Sequence, residues 1–387
     1  MTRFFAPALL LVLGLIRAAG AFLPTNPSAV SRNIGGIRQR AASDDNDGDE
    51  RDSSSSRGGV TAREARILAP ASAALACASL GITPAALAAD APSGGSFESS
   101  LREYFPGALP NAQVSAQVLG ALKRRGYIQD GTLFGASICS DEVNSTPNSL
   151  CAMLQKDIGV NTGGMFNLGG LGGLPFVGKS GFGAFFSHCP DSGKVVILFG
   201  PHVGISQTGV VGKLERVGMT KPSTACGAGI GAYKAILAAR EAGGVALSTS
   251  DGNMDNQEEW IVQELSGKFT GDDIGSGTIE SGFIGNAKMA TVTYRTYDLV
   301  WELLNKGLDI SIVNPEFWEK VTEVTLLGGI IINQGHFKSS QKAMMEDYFQ
   351  PFLFQSWRSQ DIDGALIKKN LFTSTFQMKN PKKELGL

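Results

Sequence analysis

Several short stretches of this chain are almost free of polar side chains, and each predicts a buried element. Leu133 to Ile138 is a short apolar run of strand length, and Lys194 to Phe199 is another. Val321 to Asn333 contains Leu326-Leu327-Gly328-Gly329-Ile330-Ile331-Ile332, unbroken by any polar group. Runs of this kind belong to strands covered on both faces, as in parallel sheets. Helical periodicity marks Ser99 to Arg124, with a break at Pro106-Gly107 and Pro110. It marks Ser149 to Ile158, Ala225 to Glu241, Glu258 to Leu265 and Met289 to Leu304 as well. Leu308 to Val313 reads as a further strand. Gly163 to Gly183 is glycine-rich and carries few helix formers. The apolar run Phe182 to Phe186 is joined to Lys194 to Phe199 across Pro190-Asp191-Ser192-Gly193, turn chemistry that predicts a hairpin. The expected class is α/β: a central, mostly parallel sheet flanked by helices, with a Gly-rich hairpin insertion. No long linker interrupts the chain from about Ser96 on, so residues 96–387 read as a single domain.

The chain before that point has a different pattern. Residues 1–21 carry Arg3, an apolar run from Ala8 to Ile16 and the small residues Ala19-Gly20-Ala21, the form of a secretory signal. Gly20-Ala21-Phe22-Leu23-Pro24 resembles the junction used by algae with secondary plastids. Residues 22–66 then hold Arg32, Arg38 and Arg40, as transit peptides do, followed by an acidic and Ser-rich stretch that suits a disordered linker. Residues 67–88 form a second, Ala-rich apolar run that ends Ala86-Leu87-Ala88 and is broken by Pro70 and Pro84. It reads as a second export signal, of the thylakoid-lumen type, or as a helix. The expected destination is a plastid, with the lumen ahead of the stroma or pyrenoid. A mature chain starting near Ala89 contains no expected stable membrane span.

Composition narrows the function classes. With 43% hydrophobic and 18% charged residues among 387, the chain can bury a sizeable core. A net charge of -2 gives no electrostatic footprint for nucleic acid. Five widely spread cysteines do not read as a disulfide framework; they suit core packing or metal binding.

Three of the chemistry-bearing residues share one context. Cys139 follows the first apolar strand, His202 follows the second, and Cys226 opens the helix starting at Gly227. Ligands of open α/β sheets bind beyond the carboxyl ends of strands, so the three can converge. Thiolate and imidazole suit Zn²⁺, and three protein ligands leave a fourth position for water. The same residues also read as small core cysteines and a hydrogen-bonded histidine, because no C-x-x-C or H-x-x-x-H spacing marks a metal site.

Other patterns compete for attention. Gly173-Leu174-Pro175-Phe176-Val177-Gly178-Lys179-Ser180 matches the phosphate-loop pattern but lacks the strand and helix context that gives it a mechanism. Gly227, Gly229 and Gly231 lack dinucleotide-binding spacing and suit close helix packing. Asn144-Ser145-Thr146 is a glycosylation sequon read as unused. His188 is a conceivable proton acceptor and otherwise a hairpin residue. Trp301, Trp318 and Trp357, with Phe349, Phe352 and Phe354, suit a core or a dimer surface.

A resemblance adds to this reading. Ser137-Ile138-Cys139-Ser140-Asp141-Glu142-Val143-Asn144, Gly172-Gly173-Leu174-Pro175-Phe176, Gly181-Phe182-Gly183-Ala184-Phe185, Phe199-Gly200-Pro201-His202-Val203-Gly204-Ile205 and Cys226-Gly227-Ala228-Gly229-Ile230-Gly231-Ala232-Tyr233 occur in this order. Together they resemble the limiting-CO2-inducible protein B family of algae, which includes theta carbonic anhydrases. The resemblance implies a beta-carbonic-anhydrase-like fold, zinc on Cys139, His202 and Cys226, a homodimer, association with a paralogue, and reversible hydration of CO2 to bicarbonate. It implies a zinc-bound hydroxide as nucleophile, with Asp141 either orienting it or ligating the zinc itself in a closed, inactive form. Family members need not be active, so a zinc-bearing, CO2-responsive partner protein is the alternative. Beta carbonic anhydrases place an arginine two residues after this aspartate; here that position is Val143. Arg216 is a replacement from elsewhere in the chain, or else a solvated surface arginine.

Overall fold

The apolar runs of the sequence lie side by side at the centre of one sheet. The computed structural model describes residues 95–159, 164–243, 256–269, 283–313, 315–335, 346–359 and 366–372. The expected leader segments 1–21, 22–66 and 67–88 lie outside the described residues. In chain order the elements are α1 (Phe97–Tyr104), β1 (Leu109–Pro110), α2 (Asn111–Arg124), β2 (Thr132–Ile138), α3 (Leu150–Ile158), β3 (Met165–Asn167), α4 (Gly178–Ser187), β4 (Gly193–Gly200), β5 (His202–Ile205), β6 (Lys213–Leu214) and β7 (Ser223–Thr224). There follow α5 (Gly227–Glu241), α6 (Asn256–Ser266), α7 (Asn286–Ile312), α8 (Pro315–Lys320), β8 (Val321–Gln334), β9 (Tyr348–Ser359) and β10 (Leu366–Asn370).

The main sheet runs β1-β9-β8-β4-β2-β3, with β10 also on β9 and β5 also on β8. Strands β3, β2, β4 and β8 are parallel, while β9 closes the sheet antiparallel to β8. Two apolar cores, one per face, explain the unbroken runs. Val195, Ile197 and Phe199 of β4 join the core that includes α4, α5, α6 and α7 residues; Val196 and Leu198 join the core with α2 and α3. The side chains of these apolar runs are therefore covered on both faces, with no solvent face to impose an alternating polar pattern. Trp357, Phe349 and Phe354 are buried in these cores, with Trp301, Trp318 and Phe352 packed against them. Among the described residues no helix is long and apolar enough to cross a membrane.

The structure corrects two element expectations. Phe182 to Phe186 is not a hairpin strand but the core of α4, so the expected hairpin with Lys194 to Phe199 is not formed. Phe182, Phe185 and Phe186 are its buried residues, and their three- and four-residue spacing is that of one helix face. The Pro190–Gly193 turn links this helix to β4 instead. Leu308 to Val313 is not a strand either: Leu308 and Ile312 continue the buried face of α7. Strand β9 carried no expectation. Its burial is mixed and it follows a proline-free but weakly patterned approach, so only pairing with β8 reveals it.

One carboxylate at the amino-terminal edge of the sheet is fully buried. Glu323 meets Arg125 at 2.5 Å and Arg358 at 2.6 Å, with Lys194 at 3.8 Å. Removing one partner of such a group leaves buried charge without compensation. Glu323→Gln is expected to lower unfolding free energy by about 3–5 kcal/mol, read as an earlier urea midpoint at unchanged slope. A loss below about 1 kcal/mol would show that the three cations are adequately solvated without it.

Candidate metal centre

At the opposite, carboxyl-terminal edge, three chain segments meet. Cys139 is the residue directly after β2, and His202 begins β5. Cys226 is the N-cap of α5. Strands β4 and β5 are nearly continuous, interrupted at Gly200-Pro201, and both pair with β8. The interruption needs glycine: Gly200 has φ +144°, and a β-carbon there would collide with the Gly329 carbonyl. That close approach lets the chain turn so that His202 enters the site while still paired to Ile331.

The ligand atoms of Cys139, His202 and Cys226 all lie within 4.8 Å of one another, and all three residues are buried. The two sulfurs are 3.8 Å apart. Two thiolates each about 2.3 Å from a tetrahedral zinc stand about 3.8 Å apart, so this spacing fits the ion. His202 Nε2 is buried and has no hydrogen-bond partner. A buried nitrogen left bare costs free energy unless something occupies its lone pair. The donor set and this orphaned atom both fit zinc.

The charges are unequal. The hydrogen bond with Cys226 and burial push the Cys139 thiol well up, against the nearby His202. The Cys226 thiol is lowered by the hydrogen bond from Cys139 and, despite burial, by the backbone N–H groups of Gly229 and Ala228 at the helix start. Burial would lower His202, but the Cys139 sulfur and the Asp141 carboxylate outweigh it and raise the imidazole. A metal entering this site must displace the proton held by Cys139. Apparent zinc affinity is therefore expected to rise about tenfold per pH unit for each proton released between about pH 6 and 8. Calorimetry in buffers of different ionisation enthalpy counts that proton, and pH-independent uptake would contradict the assignment.

Asp141 sits beside the trio, its Oδ2 3.6 Å from His202 Nε2. Arg216 reaches it from the β6–β7 connection and donates to both oxygens, at 3.1 and 2.9 Å. The same guanidinium contacts Ser223 at 2.6 Å and also Glu142. Burial pushes the Asp141 carboxyl up, but the Arg216 hydrogen bonds, with the His202 and Arg216 charges, hold it below the ordinary range. A guanidinium, absent at Val143, thus reaches Asp141 from 75 residues downstream of it.

Other sequence candidates fall elsewhere. His188 is exposed at the end of α4, before β4, whereas the trio lies beyond its far end. Eight residues of strand separate the two by roughly 25 Å, so His188 does not serve this site. Gly173 lies behind the site, its carbonyl accepting from Ser137 Oγ at 2.9 Å. The N–H groups of Gly173, Leu174 and Phe176 bond to Gly170, Leu171 and Leu174 within the same loop. Contrary to expectation the pattern does open a helix, α4 at Gly178, but a 3-10 turn at Leu171–Gly173 precedes it where a phosphate loop has a strand. Asn144 is buried and donates to the Cys139 carbonyl, which leaves the sequon closed to a glycan. Gly231 lets α5 pack against Glu258 of α6.

Two residues near the centre were not singled out by sequence. Asn333 accepts from His202 Nδ1 at 2.8 Å, and Asp347 in turn accepts from Asn333. A lone amide ending the apolar run of β8 was the one available signal for Asn333; Asp347 has none.

A mostly parallel, doubly covered sheet with cysteine, histidine and cysteine at its carboxyl edge defines a carbonic-anhydrase-like α/β protein with a possible metal site. The chain belongs to the limiting CO2-inducible proteins B/C beta carbonic anhydrases, whose family profile matches residues 108–358. The crystal structure of PtLCIB4, a homolog of the limiting CO2-inducible protein LCIB, is similar at 28% identity and TM-score 0.57, covering 71% of this chain and 100% of that one. A single-residue variant of PtLCIB4 gives 28% and 0.56 over 71% and 98%, and another gives 25% and 0.51 over 70% and 98%. No curated protein matches the chain.

Proposed function

We propose that this protein catalyses the reversible hydration of CO2 to bicarbonate, with zinc held by Cys139, His202 and Cys226. The observation that carries the reading is the Asp141 carboxylate, gripped at both oxygens by Arg216 and 3.6 Å from the orphaned His202 Nε2. Zinc in such a site lowers the pKa of a water to about 7. Asp141, as an anion, would accept a hydrogen bond from such a water and so orient it. Arg216 keeps Asp141 anionic, so that it accepts rather than donates, and fixes its plane. Gly173 packs closely on the Gly200 carbonyl and the Cys139 backbone N–H, leaving no room for a side chain behind Cys139. The alternative, a zinc-bearing but inactive partner protein, rests on Val143; the guanidinium that reaches Asp141 from Arg216 favours the enzyme. Stopped-flow CO2 hydration by protein with measured zinc content, under reducing conditions that keep the thiols intact, tests the reading. A folded, zinc-loaded protein without hydration at any pH would overturn it.

The leader pattern of residues 1–88 supports a plastid setting for this activity, in the thylakoid lumen ahead of the stroma. A fluorescent reporter fused behind residues 1–94 in an alga with secondary plastids tests the address. The family resemblance supports a homodimer, which light scattering of the purified protein reads directly.

A further inference from the structure

The chain of hydrogen bonds behind His202 has a direction. His202 Nδ1 lies 2.8 Å from Asn333 Oδ1. The amide of Asn333 donates through Nδ2 to Asp347 Oδ2 at 3.3 Å. The other carboxylate oxygen, Oδ1, accepts the backbone N–H of Gln334 at 2.9 Å. The Asp347 main chain is held as well: its carbonyl accepts from Asn111 N at 2.9 Å. All three side chains are buried, with Asn333 at 1% and Asp347 at 5% exposure.

Both oxygens of Asp347 face N–H donors, Gln334 N on Oδ1 and Asn333 Nδ2 on Oδ2, and oxygens so engaged act as acceptors. Facing Asp347, the Asn333 amide must therefore turn its NH2 toward the carboxylate and its carbonyl toward His202. A carbonyl oxygen can only accept, so Nδ1 must carry a proton, and the neutral imidazole that a metal can bind is the Nδ1–H tautomer. The lone pair is then left on Nε2, the buried atom with no hydrogen-bond partner that faces the sulfurs. The opposite tautomer would put a proton where the metal belongs and leave a carbonyl oxygen facing a lone pair.

We propose that Asp347 is a positioning residue for the metal ligand His202: through Asn333 it selects the Nδ1–H tautomer and so prepares Nε2 to bind the ion. The proposal rests on the zinc reading above for its purpose, but the tautomer itself belongs to the metal-free protein. Residues that orient a metal-bound histidine typically affect metal affinity by about 10- to 100-fold.

Two variants separate direction from mere packing. In Asp347→Asn, the new carbonyl still accepts from Gln334 N, and its NH2 group faces Asn333. Asn333 must then present its carbonyl to that group and its own NH2 to His202, which reverses the chain and moves the imidazole proton to Nε2. Adding Asn333→Asp restores the original direction, because a carboxylate at 333 accepts from both sides. Long-range ¹H–¹⁵N spectra of the metal-free protein, recorded through a pH titration to the neutral imidazole, read the tautomer, and chelator competition reads zinc affinity. The expected result is the Nδ1–H form in the wild type, the Nε2–H form with about 10- to 100-fold weaker zinc binding in Asp347→Asn, and recovery of both in the double variant. A folded Asp347→Asn protein with the wild-type tautomer and affinity would overturn the proposal. So would a double variant that fails to recover the wild-type tautomer. If the single variant does not fold, the wild-type spectrum decides, since an Nε2–H imidazole in the metal-free protein would overturn the proposal. A tautomer that switches as expected in a protein whose wild type binds no zinc would instead remove the zinc reading and leave the hydrogen-bond chain standing.

Discussion

Cys139→Ser is expected to empty the metal centre and abolish CO2 hydration. The serine hydroxyl is close in size but ionises far above neutral pH and is a poor ligand for zinc beside a thiolate and an imidazole. With one of three protein ligands gone, zinc content is expected to fall from about one per chain to less than about a tenth. Hydration then falls to the uncatalysed rate, since no other group here generates a nucleophile at neutral pH. The fold should survive, because Cys139 lies just beyond β2 and the strand's own buried residues stay in place. Atomic absorption and stopped-flow on the same sample decide the matter. A serine variant that keeps both zinc and activity would show that the trio is a packed cluster and not a metal centre.

Arg216→Ala is expected to leave zinc bound but lower hydration by about 10²-fold, the range seen when one preorganised polar group of an active site is removed. Asp141 and Arg216 are both mostly buried, with side chains about one-sixth exposed at 15% and 16%. Without the guanidinium, burial acts on Asp141 with only His202 and the Val143 N–H to oppose it. Its carboxyl pKa then rises from below the ordinary value. The sign is definite: the wild-type carboxylate persists down to acid pH, whereas the variant loses its acceptor as pH falls through a higher value. The acid limb of the pH–rate profile should accordingly move to higher pH in Arg216→Ala. Arg216→Lys should recover only part of the rate, because a point charge cannot hold both oxygens in one plane. Equal rates and pH profiles in wild type and Arg216→Ala would mean that the pair is structural, and would favour the inactive-partner reading.

Much of the fold was legible in the chain because its central strands are buried on both faces. The burial of Leu133 to Ile138 and Val195 to Phe199 left only Ser137 as a polar side chain within them. The helices at Ser149 and Ala225 carry enough periodic residues to be recognised alone. Phe182 to Phe186 was ambiguous for a physical reason: five residues satisfy a strand and a helical turn equally, and only the facing core decides. Leu308 to Val313 misled in the same way at the end of a 27-residue helix.

The sequence by itself determined the strand runs, the family words and the three metal-type side chains, since each follows from residue identity and short-range order. Tertiary structure alone decided which polar groups stand around them. Arg216 comes to Asp141 from 75 residues away, and Asn333 comes to His202 from 131. Parallel strands gather their carboxyl ends at one edge whatever the length of chain between them. Partners at that edge are therefore chosen by strand order and register, and no local spacing records the choice.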